Sequence, residues 1–204
     1  MNKGQIRAHF KALLNRSDCT DTLADTFIDQ SITRIQRSIR IPSMERQQAY
    51  TINSTTPQES VILPADFLEI IDLYYDNTSL SRVPMRTILE MRKNNDAGGP
   101  QFFAREQGTL VLYPRPETGT LYLNYYGQFK DLVADTDSND LTNVASDAVT
   151  YGALAYASDY FIDERSALFE QKLSMFLAEL QQQANDAETA GSVQAIRPTT
   201  NYQD

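Results

Sequence analysis

The sequence predicts an α+β fold: an antiparallel helix bundle built from the N- and C-terminal segments, an inserted antiparallel β-rich module, and an extended C-terminal tail. Three observations carry this. Apolar residues recur at helical spacing near both ends of the chain. The middle changes to short β-forming runs separated by Gly and Pro. No helical stripe is apolar all round, so helices from the two ends must pack together to bury their faces. The boundaries that follow are 1–44 for the N-terminal helices, 45–130 for the β-rich insertion, 131–188 for the C-terminal helices and 189–204 for the tail.

The first helix is predicted over residues 3–14, where Ile6, Phe10, Leu13 and Leu14 form one stripe. Residues 16–21 read as a polar connector. Thr22 and Asp25 have the spacing of a capping box that opens a second helix. Ile28, Ile32, Ile35 and Ile39 continue its stripe, and Pro42 ends it near Ile41. Strands are expected at 46–53, at the short run Val61 to Leu63, and at 68–75. A short helix is expected around 84–93. Residues 102–113 read as a hairpin turning at Gln107-Gly108, and Thr120 to Tyr126 as a further strand. Residues 131–143, acidic and turn-rich, read as a loop. Helical period returns at Ser146 with Val149, Ala153, Tyr156 and Tyr160. Gly152, Ala153, Ala155 and Ala157 make this helix thin enough for a neighbour to approach closely. Asp163 is a cap for a last helix whose face is Phe169, Leu173, Phe176, Leu177 and Leu180.

Bulk properties narrow the function. The 204 residues suit one domain or a core with a large insertion. Apolar runs are short and broken by charge, and no signal-peptide pattern or membrane span is expected. The net charge is −9, but residues 1–48 carry +3 and the remainder −12. That balance argues against a DNA-binding regulator, whose affinity rests on neutralising phosphates. It suits a wall that duplex DNA passes without sticking, and equally the attraction of unlike surfaces on neighbouring subunits.

Candidate chemistry is sparse. The single histidine, His9, lies off the apolar stripe of its helix, and one histidine with one cysteine removes most triad and metal designs. Cys19 lacks an adjacent base and reads as an ordinary loop cysteine. Asp66 and Glu69 are a carboxylate pair of the kind that twenty-seven acids produce by chance, so a hydrolase finds no motif here. Asp135, Asp137, Asn139 and Asp140 fall short of a calcium loop, lacking the glycine and the terminal glutamate. Gly98-Gly99 is not followed by the lysine of a phosphate loop. The sequence therefore offers no catalytic, cofactor-binding or metal-ligating set.

Two features speak for contacts instead. Arg34, Arg37 and Arg40 recur along the second helix. They read either as a solvated face opposite the isoleucines or as a basic ridge for DNA or an acidic partner, with a carboxylate-bearing subunit the better fit to a guanidinium fork. The pairs Tyr74-Tyr75 and Tyr125-Tyr126 place one ring on each face of a strand, so one fills the core while the other faces outward.

Several segments together resemble the head-to-tail adaptor proteins of tailed bacteriophages, including the tail-tubular adaptors of short-tailed phages. They are Leu63-Pro-Ala-Asp-Phe-Leu-Glu-Ile-Ile71, Pro100-Gln-Phe-Phe, Gly108-Thr-Leu-Val-Leu-Tyr-Pro114, Leu123-Asn-Tyr-Tyr126, Asp147-Ala-Val-Thr-Tyr-Gly-Ala-Leu154 with Ala157, and Asp163-Glu-Arg-Ser-Ala167. Their order spans roughly residues 5–185. The resemblance implies a structural virion protein without catalytic residues or cofactors, assembled in the host cytoplasm and located at the head–tail junction. It implies a ring, usually twelvefold, docked under the portal protein and above a tail or nozzle protein, through which double-stranded DNA passes. The helical part would form the ring body, and the β insert would reach toward tail components. The C-terminal tail would reach the portal, with Arg197 and Tyr202 as its anchors. A tail-completion or stopper protein of the phage neck is the neighbouring alternative.

Overall fold

The computed structural model describes residues 1–53, 59–94 and 97–189. In chain order the elements are α1 (Lys3–Leu14), α2 (Asp21–Ser38), β1 (Glu45–Ile52), β2 (Ser60–Ile62), β3 (Phe67–Tyr75), β4 (Thr78–Ser79), β5 (Ser81–Arg82), α3 (Met85–Met91), β6 (Phe102–Glu106), β7 (Thr109–Tyr113), β8 (Gly119–Gly127), α4 (Asp140–Val144), α5 (Ser146–Phe161) and α6 (Ser166–Thr189). The fold is α+β, as its periodicities predict. It divides into a helical unit (Met1–Ile41, Ala134–Ser138 and from Thr142 onward) and a β-rich unit (Pro42–Val133 with Asn139–Leu141). The expected extended tail lies mostly outside the described residues, and the last helix runs to Thr189.

In the helical unit the ends of α1 are closed by its own sequence. The Asn2 side chain accepts from the Gln5 N–H while Gln5 returns a bond to the Asn2 backbone, a reciprocal cap. α2 starts two residues earlier than expected. Thr20, not Thr22, is its N-cap and accepts from the Leu23 N–H at 3.2 Å. Asp25, expected in the capping box, is instead drawn to Arg7 and Lys3. The helix ends at Ser38, three residues short of Ile41, because Ile39 is already extended (φ −121°, ψ 155°).

α5 is the hub. Ala148, Val149, Thr150, Gly152, Ala153, Leu154, Ala155, Ala157 and Ser158 are all buried, so it is covered on every side. This corrects one expectation: the stripe through Tyr160 does not hold, since that ring is 63% exposed. The thin surface does admit close neighbours within the unit, since α1, α2 and α6 all pack on α5. Close approach is tightest where Ser31 of α2 donates its hydroxyl to the Val149 carbonyl at 2.9 Å. A Cβ on Gly152 would sit 2.2 Å from that Ser31 Oγ. Phe10, Phe27, Tyr160 and Phe161 form an aromatic cluster at one end, with Phe161 edge-on to Tyr160 at 4.8 Å and capped by Arg16 at 4.4 Å.

In the β-rich unit two four-stranded sheets, ordered β1-β8-β3-β4 and β2-β7-β6-β5, stack face to face. Ile52, Leu73, Leu121, Leu123 and Tyr125 of the first meet Val61, Phe103, Leu110 and Leu112 of the second. The other face of the second sheet is covered by α3, whose Ile88 packs with Ala104, Val111 and Tyr113. That is why Leu110 to Tyr113 reads as an unbroken apolar run: both faces of β7 are buried. The first sheet is antiparallel throughout. The second departs from the antiparallel expectation, since β5 pairs parallel with β6. A parallel pair needs a crossover, and α3 is part of it.

The segment 131–143, expected as a loop, contains the short helix α4. Its preceding residues are pinned by the start of α1: the backbone N–H groups of Lys3 and Gly4 donate to the carbonyls of Asp137 and Asp135, each at 2.9 Å. Two of the N–H groups that a helix start leaves unpaired are satisfied this way.

Candidate functional site

Arg34 and Arg37 of α2 and Arg40 just past its end do not form one uniform ridge. Arg34 turns toward α6 and holds Glu170 with two hydrogen bonds, 2.7 and 2.8 Å, fork to carboxylate. That pairing lowers the Glu170 carboxyl below its usual range and raises the Arg34 guanidinium. Arg40 folds onto the end of its own helix and donates to the carbonyls of Gln36 and Ile39, where cations are favoured. Arg37 is exposed and makes no ion pair among the described residues. Between α2 and α5 runs a shallow groove of about 430 Å³, lined by Thr26, Asp29, Thr33, Arg34, Arg37 and Tyr156. Arg197 and Tyr202 lie outside the described residues.

The paired tyrosines divide as strand alternation requires. Tyr125 is 4% exposed and donates to Asp66 at 3.0 Å. Burial, then that carboxylate, pushes its phenol up to about 12. Tyr75 packs beside the same core and donates to the Thr118 carbonyl. Their neighbours Tyr126 and Tyr74 take the opposite, half-buried face, where Tyr74 stands across from Tyr122 in register.

The candidates for chemistry are held in structural work. Cys19 is buried, and that burial raises its thiol above the ordinary value, the opposite of what a nucleophilic thiolate needs. His9 is exposed. Asp66 faces Tyr125 and Arg46. Asp135 takes Arg7, and the Asp137 carboxylate accepts from the Ala134 N–H. Among the described residues no group of three or more His, Cys, Asp or Glu side chains could hold a metal, and no helix is long and apolar enough to cross a membrane.

Sequence reading missed the main ionic node of the helical unit. Arg7 binds Asp25 through Nε and Nη2 at 2.5 and 2.7 Å, and Asp135 through Nη1 and Nη2 at 3.0 and 2.7 Å. It thereby joins α1, α2 and the segment before α4. Nothing local in the sequence marks the node, because its members lie 18 and 128 residues from Arg7. Ile162 was missed as well. It is 91% exposed and sits at φ 54°, where branched side chains rarely go.

The arrangement presents contact surfaces and no convergent reactive groups. A family model described as SU10 adaptor protein matches residues 1–198. The chain belongs to the SU10 adaptor protein family. This adaptor is a structural phage protein, of a family that is not an enzyme class. The match runs through both units of the adaptor, in keeping with the resemblance carried by its scattered motifs. No curated protein matches the adaptor.

Proposed function

We propose that copies of the adaptor close into a ring between the portal protein and the tail or nozzle protein, twelvefold in the usual case, and that this ring continues the DNA channel. The observation that carries this reading is the family match over both units, which makes the adaptor role a property of the whole chain. Charge supports the channel: at −9 the chain repels phosphate, so a duplex can pass without being held. The helical unit forms the ring body, the β-rich unit faces tail components through its outward tyrosines, and residues 189–204 reach the portal with Arg197 and Tyr202 as anchors. Arg34, Arg37 and Arg40 serve partner contacts in this reading.

Negative-stain imaging of the purified adaptor with and without portal rings tests it. Rings seated on the portal are expected. Monomers that never assemble there overturn the proposal. Deleting residues 189–204 should weaken docking and leave the circular dichroism spectrum intact, and a collapsed spectrum would refute the tail's assignment. A channel lined mainly by Lys and Arg would refute the passive wall.

A further inference from the structure

The helical unit carries two different exposed faces whose chemistries match. The first is the groove between α2 and α5, with the unpaired guanidinium of Arg37 at its edge, the Tyr156 ring in its wall, and Thr26 and Thr33 between. Arg34 there is taken by Glu170 and also lies over the Tyr156 ring, 5.8 Å from its centroid, so Arg37 is the lining guanidinium left for a partner. The second face lies on α6. Leu168 and Met175 are 47% and 49% exposed, and Glu179 is exposed without an ion pair among the described residues.

Helix geometry sets these two faces apart. Glu170 and Gln181 of α6 bond Arg34 of α2 and the backbone of Arg40 just past its end, so that side of α6 looks toward α2. At about 100° per residue, Leu168, Met175 and Glu179 lie roughly 140–180° around the axis from Glu170. The second face therefore points away from the first within one subunit. Two distinct, non-overlapping and complementary patches are what a heterologous, head-to-tail contact requires.

We propose that the α6 face of one copy docks into the α2–α5 groove of the next, with Glu179 paired to Arg37 and with Met175 and Leu168 covering Tyr156. The occupant is a second copy of this chain. Its acid answers the one lining arginine that lacks a carboxylate, and its two exposed apolar side chains answer the only ring in the groove. The spacing agrees: Met175 and Glu179 are one turn apart on α6, as Thr33 and Arg37 are on α2, so two helices laid side by side meet at both positions. The inference rests on the ring reading above and names the contact that closes the ring.

Charge swapping on the full chain tests it, with assembly read by sedimentation velocity and by imaging on portal rings. Arg37→Glu and Glu179→Lys should each lower assembly about tenfold or more, because like charges then face each other. The double variant should recover assembly to within about threefold of the unaltered chain. Single variants that assemble normally overturn the proposal, and so does a double variant that stays defective. Failure of the unaltered chain to assemble counts against the ring itself, and is distinguished by that arm alone. Should a reversal perturb folding by circular dichroism, a second measurement decides. Thr33→Cys with Met175→Cys, in a Cys19→Ser background, should be joined by a short thiol crosslinker into a ladder of multimers. Absence of intermolecular products overturns the contact.

Discussion

Replacing Gly152 by alanine should weaken the helical unit, although the same change strengthens an ordinary helix. In an exposed helix interior Gly→Ala gains up to about 1 kcal/mol from propensity. Here the new Cβ meets Ser31 Oγ at 2.2 Å and Ser31 Cβ at 3.1 Å. The hydroxyl can rotate away only by leaving the Val149 carbonyl, to which it donates at 2.9 Å in a fully buried site. An unsatisfied buried hydroxyl costs about 1–3 kcal/mol. If α2 and α5 separate instead, overpacking costs about 1–3 kcal/mol. At a mid-range cost of about 2 kcal/mol either route outweighs the propensity gain and leaves a net loss of about 1 kcal/mol. For a chain of this size that is a fall in Tm of about 2–4 °C. Urea unfolding followed by far-ultraviolet circular dichroism measures it. Combining Gly152→Ala with Ser31→Ala removes the nearest atom, so the pair should be less damaged than the sum of the singles, by about 0.5 kcal/mol or more. A single variant as stable as the unaltered chain, or more so, would refute the close packing of α2 on α5.

Two further outcomes are expected. Ile162→Gly should raise stability by about 0.5–1 kcal/mol, since the left-handed backbone at φ 54° penalises a branched residue and the 91% exposed side chain has little packing to lose; a lower melting temperature would show that the side chain is held after all. The Asp163 carboxyl is lowered to about 2, first by its hydrogen bond from the Arg165 side chain. An acid depressed in the folded state adds stability above its ordinary pKa of 3.8 and loses it as pH falls through about 2. Asp163→Asn should therefore flatten the acid limb of the stability curve between about pH 4 and pH 2, by less than about 1 kcal/mol because Arg165 is 44% exposed; an unchanged limb would contradict the pairing.

Local patterns in the sequence determined much of the architecture. Helical stripes placed α1, α2, α5 and α6, Pro42 marked the exit from the second helix, and alternation placed the hairpin β6–β7 and β8. These signals are legible because each element's period records which of its faces leaves water. The alternation of Tyr125 with Tyr126 told that one ring enters the core, and the fold chose Tyr125. The family resemblance was legible for the same reason, being carried by short stretches within these elements and at their starts.

The tertiary structure decided what each face meets. Arg34 looked like part of a ridge until Glu170, 136 residues away, was found to hold it. Arg37, three residues on with the same charge, stays exposed, and only that difference points to a contact surface. The thin helix α5 read as a place of close approach without a named neighbour, and the fold made it the hub of its own unit, because three helices had to bury their stripes against one small-residue core. Asp25 read as a helix cap and became a partner of Arg7. A period shows that a side chain is buried or exposed, but ion pairs and close approaches join residues far apart in the chain. Only the folded arrangement chooses among the many acids and bases that the composition allows.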